Sequence, residues 1–216
     1  MIVTEHVEEY INSMEQDLPD YLAELEKYAG KNGVPIIRRS MQTYLRFLLK
    51  KEKPKRILEI GAAIGFSSLY MKEYAPADCR ITTIEKVEMR LVEARKNLKD
   101  KDGIELIEGD AAEVLKKLAD RGEQEQFDWV FLDAAKGQYL SWLPDIMKLL
   151  RKGGLLITDN VLLEGTIAES KFAIERRDRT IHMRMREFLY ELTHREDIET
   201  VILPVGDGVA LSVKMD

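Results

Sequence analysis

The chain has 216 residues, 45% hydrophobic and 33% charged, which predicts one domain over 1–216 with a sizeable core. It has no apolar run near the roughly 20 residues that span a bilayer, and its start, MIVTEHVEEY, lacks a signal peptide's basic and apolar stretches, so membrane and secreted classes are set aside and a cytoplasmic location is expected. The lone Cys79 excludes a disulfide framework and a cysteine-ligated zinc site and reads as inert packing, while of the net charge of -6 residues 1–30 carry -7, so the remainder is about +1 and polyanion binding stays open.

In chain order, Val7, Tyr10, Ile11 and Met14 fall at helical spacing, Leu18-Pro19-Asp20 interrupts, and Tyr21, Leu22 and Leu25 continue a second helix to a stop at Gly30. These acidic helices predict a cap within 1–50 that covers a site or builds a dimer interface. A third helix runs from Met41 through Tyr44, Leu45 and Leu48 until Pro54. It leads into a basic stretch: Arg46, Lys50, Lys51, Lys53, Lys55 and Arg56 against Glu52.

Beyond Pro54 short apolar runs at 56–60, 81–85, 104–107, 127–132 and 154–158 alternate with helical segments near 65–74, 88–99, 111–119 and 138–150. This is the βαβ rhythm of an α/β, doubly wound, mostly parallel sheet over 51–216. After a helix near 180–194, runs at 199–204 and 208–214 are joined only by Val205-Gly206-Asp207, which forces an antiparallel pair.

The first strand leads into Gly61-Ala62-Ala63-Ile64-Gly65-Phe66-Ser67, where a glycine turn lets a ligand approach the backbone and the open N–H groups of a new helix. The spacing lacks the Lys-Ser/Thr of a P-loop and the G-x-G-x-x-G dinucleotide fingerprint, which disfavours ATPase and NAD chemistry. Glu85 ends the second strand where such folds place an acid on ribose hydroxyls, and Gly109-Asp110-Ala111 follows the third. Three such strand ends predict a nucleoside pocket.

LEIGAAIGFSS, VFLDAAK and ITDN, as an ordered set, resemble the class I S-adenosylmethionine-dependent methyltransferases, and within them the metal-dependent O-methyltransferases that include the catechol and caffeoyl-CoA enzymes. The resemblance covers roughly residues 30–216 and implies a Rossmann-like sheet ordered 3-2-1-4-5-7-6 with a reversed last strand, S-adenosylmethionine as cofactor, and a homodimer. By the same resemblance Gly61 and its neighbours, Glu59 among them, would line the methionine part, with Asp133 beside them. Ser67 would take the carboxylate, Glu85 the ribose, and Asp110 and Ala111 the adenine side. Ile37 looks like a backbone contact to the cofactor, although IIRRSMQ departs from the usual small-residue version.

Asp133 ends the fourth strand and Asp159 and Asn160 the fifth, so the three project from one sheet edge. Three hard oxygen ligands without Cys or His suit Mg²⁺ or Mn²⁺. Lys136, one short turn past Asp133, resembles the family's catalytic lysine; a nearby cation disfavours its ammonium form, as a general base requires. The expected mechanism is chelation of two adjacent substrate oxygens, proton transfer to Lys136 and in-line attack on the sulfonium methyl.

For the acceptor, the segment VLLEGTIAESKFAIERRDRTIHMRMRE begins apolar and turns arginine-rich, and in this fold it would rim the site. Arg176, Arg177 and Arg179, with Arg38 and Arg39, are the expected RNA contacts; a solvated helix face, with Arg184 and Arg186 paired to Glu187 or Glu191, is the competing reading. The pattern resembles the bacterial tRNA 5-hydroxyuridine methyltransferases, whose base offers adjacent oxygens in an unstacked anticodon loop. The expected reaction is methylation of 5-hydroxyuridine to 5-methoxyuridine in the tRNA anticodon stem-loop. A small-molecule catechol or phenol O-methyltransferase is the alternative, and an RNA-binding module on a degenerate fold the third. His182 is expected to be surface or packing, His6 and His194 form no triad, and Trp129 and Trp142 read as packing.

Overall fold

The computed structural model describes residues 4–122 and 126–215, so 1–3, 123–125 and 216 of the expected domain lie outside the described residues. Helices α1 (Glu5–Ser13), α2 (Asp20–Asn32) and α3 (Arg39–Glu52) come first. The second ends later than the sequence predicted: Gly30 stays within the helix, and Gly33, at φ 63°, closes it. A glycine in a helix interior costs only about 1 kcal/mol, whereas a left-handed closing turn selects glycine strongly.

There follow β1 (Arg56–Ile60), α4 (Phe66–Tyr74), β2 (Arg80–Glu85), α5 (Glu88–Leu98), β3 (Ile104–Glu108), α6 (Ala111–Ala119), β4 (Phe127–Leu132), α7 (Tyr139–Leu149), β5 (Leu150–Asp159), α8 (Arg179–His194), β6 (Ile198–Leu203) and β7 (Val209–Lys214). The seven strands form one sheet in the order 3-2-1-4-5-7-6. Strands β1 to β5 pair in parallel, and β7 runs antiparallel to both β5 and β6. Strand β5 begins at Leu150 rather than 154, because Gly153 and Gly154 sit at a register shift against β4 instead of breaking the strand. A side chain at Gly154 would put Cβ 2.9 Å from the Asp128 carbonyl oxygen, so the irregular pairing requires glycine.

The central strands are buried on both faces, and their alternation sorts residues into two cores. Leu58, Ile60, Val130 and Leu132 pack toward α6, α7 and α8. Ile57, Trp129, Phe131 and Ile157 pack toward α2, α3 and α4, and Cys79 is buried in this second core. Burial pushes the Cys79 thiol up to about 11, in keeping with inert packing. No helix among the described residues is long and apolar enough to cross a membrane.

Register is what assembles the site. Ile60 pairs with both Ile84 and Leu132, and Leu132 pairs with Thr158. The next residues along these four strands, Gly61, Glu85, Asp133 and Asp159, therefore emerge side by side at the carboxyl edge, where open α/β sheets bind ligands.

Candidate active site

At this edge the turn after β1 meets the end of β4, backbone to backbone. Gly61 has φ 107°, and a Cβ there would lie 2.1 Å from the Asp133 carbonyl oxygen. The turn is held by the Gly61 and Ala62 N–H groups, both donating to the Ile84 carbonyl at 3.0 Å. Glu85 is buried and fixed by three backbone donors, Ala63 at 2.9 Å and Lys86 and Val87 at 2.8 Å each.

Two cavities meet over this turn, sharing Gly61, Arg90 and Ala134. One, of about 370 Å³, is lined by Ile37, Arg38, Ser67, Asp133, Lys136 and Asn160 among others. The other, of about 90 Å³, is lined by Glu85, Ala111 and Trp142 among others. Thus Ile37, Gly61, Ser67, Glu85, Ala111 and Asp133 come together along one trough. The other two expected cofactor residues stand back from it. Asp110 caps α6 by accepting from Ala112 N at 2.9 Å and pairs with Lys86 at 3.0 Å, contacts that hold its carboxyl below the usual range. Glu59 lies on the Ile57 face of β1, fully buried, and accepts from the Ser68 and Thr83 hydroxyls; burial lifts its carboxyl above the usual range. The Ile37 carbonyl accepts from Gln42 Nε2 at 3.0 Å.

Asp133, Asp159 and Asn160 do converge. Asn160 Nδ2 lies 3.4 Å from Asp133 Oδ1, and Asn160 itself takes a left-handed turn, φ 57°, which asparagine tolerates better than most residues. Burial and then the charge of Asp133 push Asp159 up to about 7, and burial also raises Asp133, opposed by Lys136. Two carboxylates and an amide, forced together out of water, form a donor set that fits a hard divalent cation. Because the folded value of Asp159 lies above its ordinary 3.8, its contribution to stability is present at low pH and is lost as pH rises through about 7, unless a cation takes the place of the proton. Mg²⁺ is therefore expected to raise the melting temperature more at about pH 8 than at about pH 5. A thermal scan in chelator and in Mg²⁺ checks this, and an equal shift at both pH values would contradict it.

Lys136 opens a short 3-10 turn, Lys136–Gln138, between β4 and α7. The turn is pinned from two sides: the Tyr139 hydroxyl bonds both N–H and C=O of Ala134 at 2.9 and 3.1 Å, and Arg184 donates to the Gly137 carbonyl at 2.8 Å. Sequence reasoning missed Tyr139, Arg90, Glu164 and Asp207. Arg90 lines both cavities and lies 3.9 Å from Glu85, and its place in the first turn after an acid-tipped strand was the available signal. Asp207 and Glu164 line the larger cavity, and Asp207 accepts from the Glu164 backbone N–H. The one signal for Asp207 was an acid in a hairpin turn otherwise built of Val and Gly.

The arginines divide. Arg38 lines the cavity and pairs with Glu164 at 3.0 Å. Arg39 turns away to Glu26, and Arg179 donates to the Ile174 carbonyl at 3.0 Å. Arg176 is exposed, while Arg177 pairs with Glu175 at 3.0 Å and Asp178 at 3.4 Å. Arg184 and Arg186 do not pair with Glu187 or Glu191 but hold backbone carbonyls, Gly137 for the first and Ile167 and Glu169 for the second. The stretch 46–56 contributes nothing to either cavity; Arg46 and Lys50 lie over the Tyr74 ring. His182 is buried with Nε2 3.1 Å from the Thr166 carbonyl oxygen, a packing role, and both tryptophans are buried.

A family model described as O-methyltransferase matches residues 12–215. Caffeoyl-CoA O-methyltransferase 1 of Eucalyptus globulus is 32% identical over 204 residues, covering 89% of this chain and 81% of that protein. Among solved structures, a candidate caffeoyl-CoA O-methyltransferase from Staphylococcus aureus superposes with a TM-score of 0.88 at 30% identity, over 97% of this chain and 100% of that one. A methyltransferase from Podospora anserina, solved with S-adenosylhomocysteine bound, gives 0.86 at 26% identity, over 98% and 95%.

Proposed function

The chain belongs to the O-methyltransferase family, and from that premise we propose that it transfers a methyl group from S-adenosylmethionine to the 5-hydroxyl of wobble 5-hydroxyuridine in tRNA, giving 5-methoxyuridine. The observation that carries the reading is one cavity lined by the glycine turn, Asp133, Asn160, Lys136 and Arg38.

The likeness to an S-adenosylhomocysteine-bound methyltransferase supports the cofactor, and the trough fits it. Glu85, immobilised by three N–H groups, presents fixed oxygens to ribose hydroxyls. Ser67, in the first turn of α4 and a side-chain hydrogen-bond partner of Glu59, lines the cavity at the helix N-terminus, whose open N–H groups suit a carboxylate. Ala111 and Trp142 wall the smaller cavity for an aromatic base. S-adenosylmethionine supplies an electrophilic methyl group. Asp133, Asp159 and Asn160 would hold Mg²⁺ or Mn²⁺, which supplies Lewis acidity to two adjacent acceptor oxygens. Lys136 Nζ takes the hydroxyl proton, and the pinned turn beneath it keeps that amine in place. Arg38 at the mouth supplies positive charge for the backbone of a single-stranded loop.

A catechol or phenol acceptor is the second reading, favoured by the likeness to caffeoyl-CoA O-methyltransferase. Incubation with S-adenosylmethionine, Mg²⁺ and tRNA lacking the modification, followed by nucleoside mass spectrometry, separates the two. The expected result is 5-methoxyuridine, lost on chelation; methylated catechol with unmodified tRNA would replace the first reading by the second.

A further inference from the structure

We propose that Glu164 and Arg38 form a charge latch at the cavity mouth: Glu164 holds Arg38 ready as the receptor for a phosphate group of the acceptor, and that phosphate displaces it. The inference rests on the reading above that the acceptor carries phosphate.

The two residues come from opposite sides of the mouth, Arg38 from the segment leading into α3 and Glu164 from the segment between β5 and α8. The guanidinium and carboxylate meet at 3.0 Å and both line the larger cavity. Their surroundings aim them at each other. Leu163, Glu164 and Gly165 are three consecutive left-handed residues, φ 49°, 55° and 89°. Asp207, itself buried, fixes this turn by accepting the Glu164 N–H, and the Leu162 N–H donates to the Asp207 carbonyl at 3.0 Å. The stem of Arg38 runs past Gly206, whose added Cβ would lie 3.7 Å from Arg38 Cδ. Adjacent Arg39 points to Glu26 instead, so one arginine of the pair is structural and the other faces the cavity.

The ion pair itself is solvated, with side-chain exposures of 45% and 73%, and such pairs add little to stability. The left-handed turn is held by Asp207 and by its own backbone hydrogen bonds, independently of the ion pair, so the carboxylate stays in place when the pair opens. A contact of this kind is readily exchanged, and guanidinium binds phosphate in the same two-pronged way as carboxylate. Glu164 thereby places a charge test at the mouth: an acceptor enters by matching the carboxylate it replaces.

The phosphate could belong to an RNA backbone or to a small phosphorylated acceptor, so the test carries both. The full chain loaded with S-adenosylhomocysteine is titrated with a labelled anticodon stem-loop, with a catechol that carries a phosphate ester on a side chain and keeps both ring hydroxyls free, and with the same catechol lacking the phosphate. Glu164→Gln is expected to raise the preference for phosphate-bearing over phosphate-free ligands by about two- to fivefold, the scale of an exposed ion pair. Arg38→Ala should abolish the preference, Arg38→Lys should keep part of it, and Glu164→Gln should have no effect in the Arg38→Ala background. An equal effect of Glu164→Gln on all ligands, or one that persists without Arg38, overturns the latch. A preference seen with the phosphate ester, but with no RNA binding, keeps the latch and removes the tRNA reading.

Discussion

Lys136→Met is expected to lower kcat for methyl transfer by about 10²–10⁴-fold, the range for removing a positioned general base, while S-adenosylhomocysteine binding stays within a few-fold. Methionine keeps an unbranched stem of nearly the same shape, with sulfur in place of one methylene, and lacks the terminal amine. The amine lies where its charge acts on both Asp133 and Asp159, and it makes no side-chain hydrogen bond to another described residue, so its removal costs that charge interaction and no hydrogen bond. Its position is set by Tyr139 and Arg184 through Ala134 and Gly137, and neither contact involves Lys136 itself. The split between kcat and KM supplies the second readout: loss of a proton acceptor should lower kcat and leave KM for S-adenosylmethionine within a few-fold. A kcat within tenfold of the parent would assign the proton to another acceptor.

Gly61→Ala is expected to be damaging in stability and binding together. The new methyl carbon would meet the Asp133 carbonyl oxygen at 2.1 Å, on a residue at φ 107°. Backbone strain of about 1–3 kcal/mol and overpacking of about 1–3 kcal/mol add to roughly 2–6 kcal/mol. At about 2–4 °C per kcal/mol for a chain of this size, the melting temperature should fall by roughly 5–20 °C. Affinity for S-adenosylhomocysteine should fall at least about 100-fold, since the turn cannot move without moving Asp133. Gly30→Ala is the control: its added carbon meets nothing within 4 Å, and in a helix interior the change should stabilise by about 0.5–1 kcal/mol. Calorimetry on both variants, with a cofactor titration, tests the contrast.

Much of the fold is legible because parallel strands and amphipathic helices write different periods into the chain, and each of the seven strands has its own apolar run. Acids such as Glu85, Asp133 and Asp159 are legible for the same reason, being the residues that end those runs. What the sequence does not display is partnership across space. Arg39 and Arg179 look like Arg38, and only tertiary placement beside Glu26 and the Ile174 carbonyl makes them structural. Glu59 belongs to a strand buried on both faces, where alternation says nothing about whether a polar position meets a cavity or hydroxyls from α4 and β2. Glu164 and Asp207 lie in segments without period, and their roles arise from a backbone conformation that composition does not encode.

The approach of Gly61 to the carbonyl of Asp133 ties the two halves of the site into one mechanical unit. One turn borders the trough fitted for a nucleoside, and the other carries the acceptor-facing carboxylate, with no side chain between them to absorb movement. A shift imposed on either turn therefore presses on the other. Any change that occupancy of one half makes in the affinity of the other is matched, by thermodynamic reciprocity, by an equal change in the reverse direction. The means of coupling the two halves is thus a contact between two main chains.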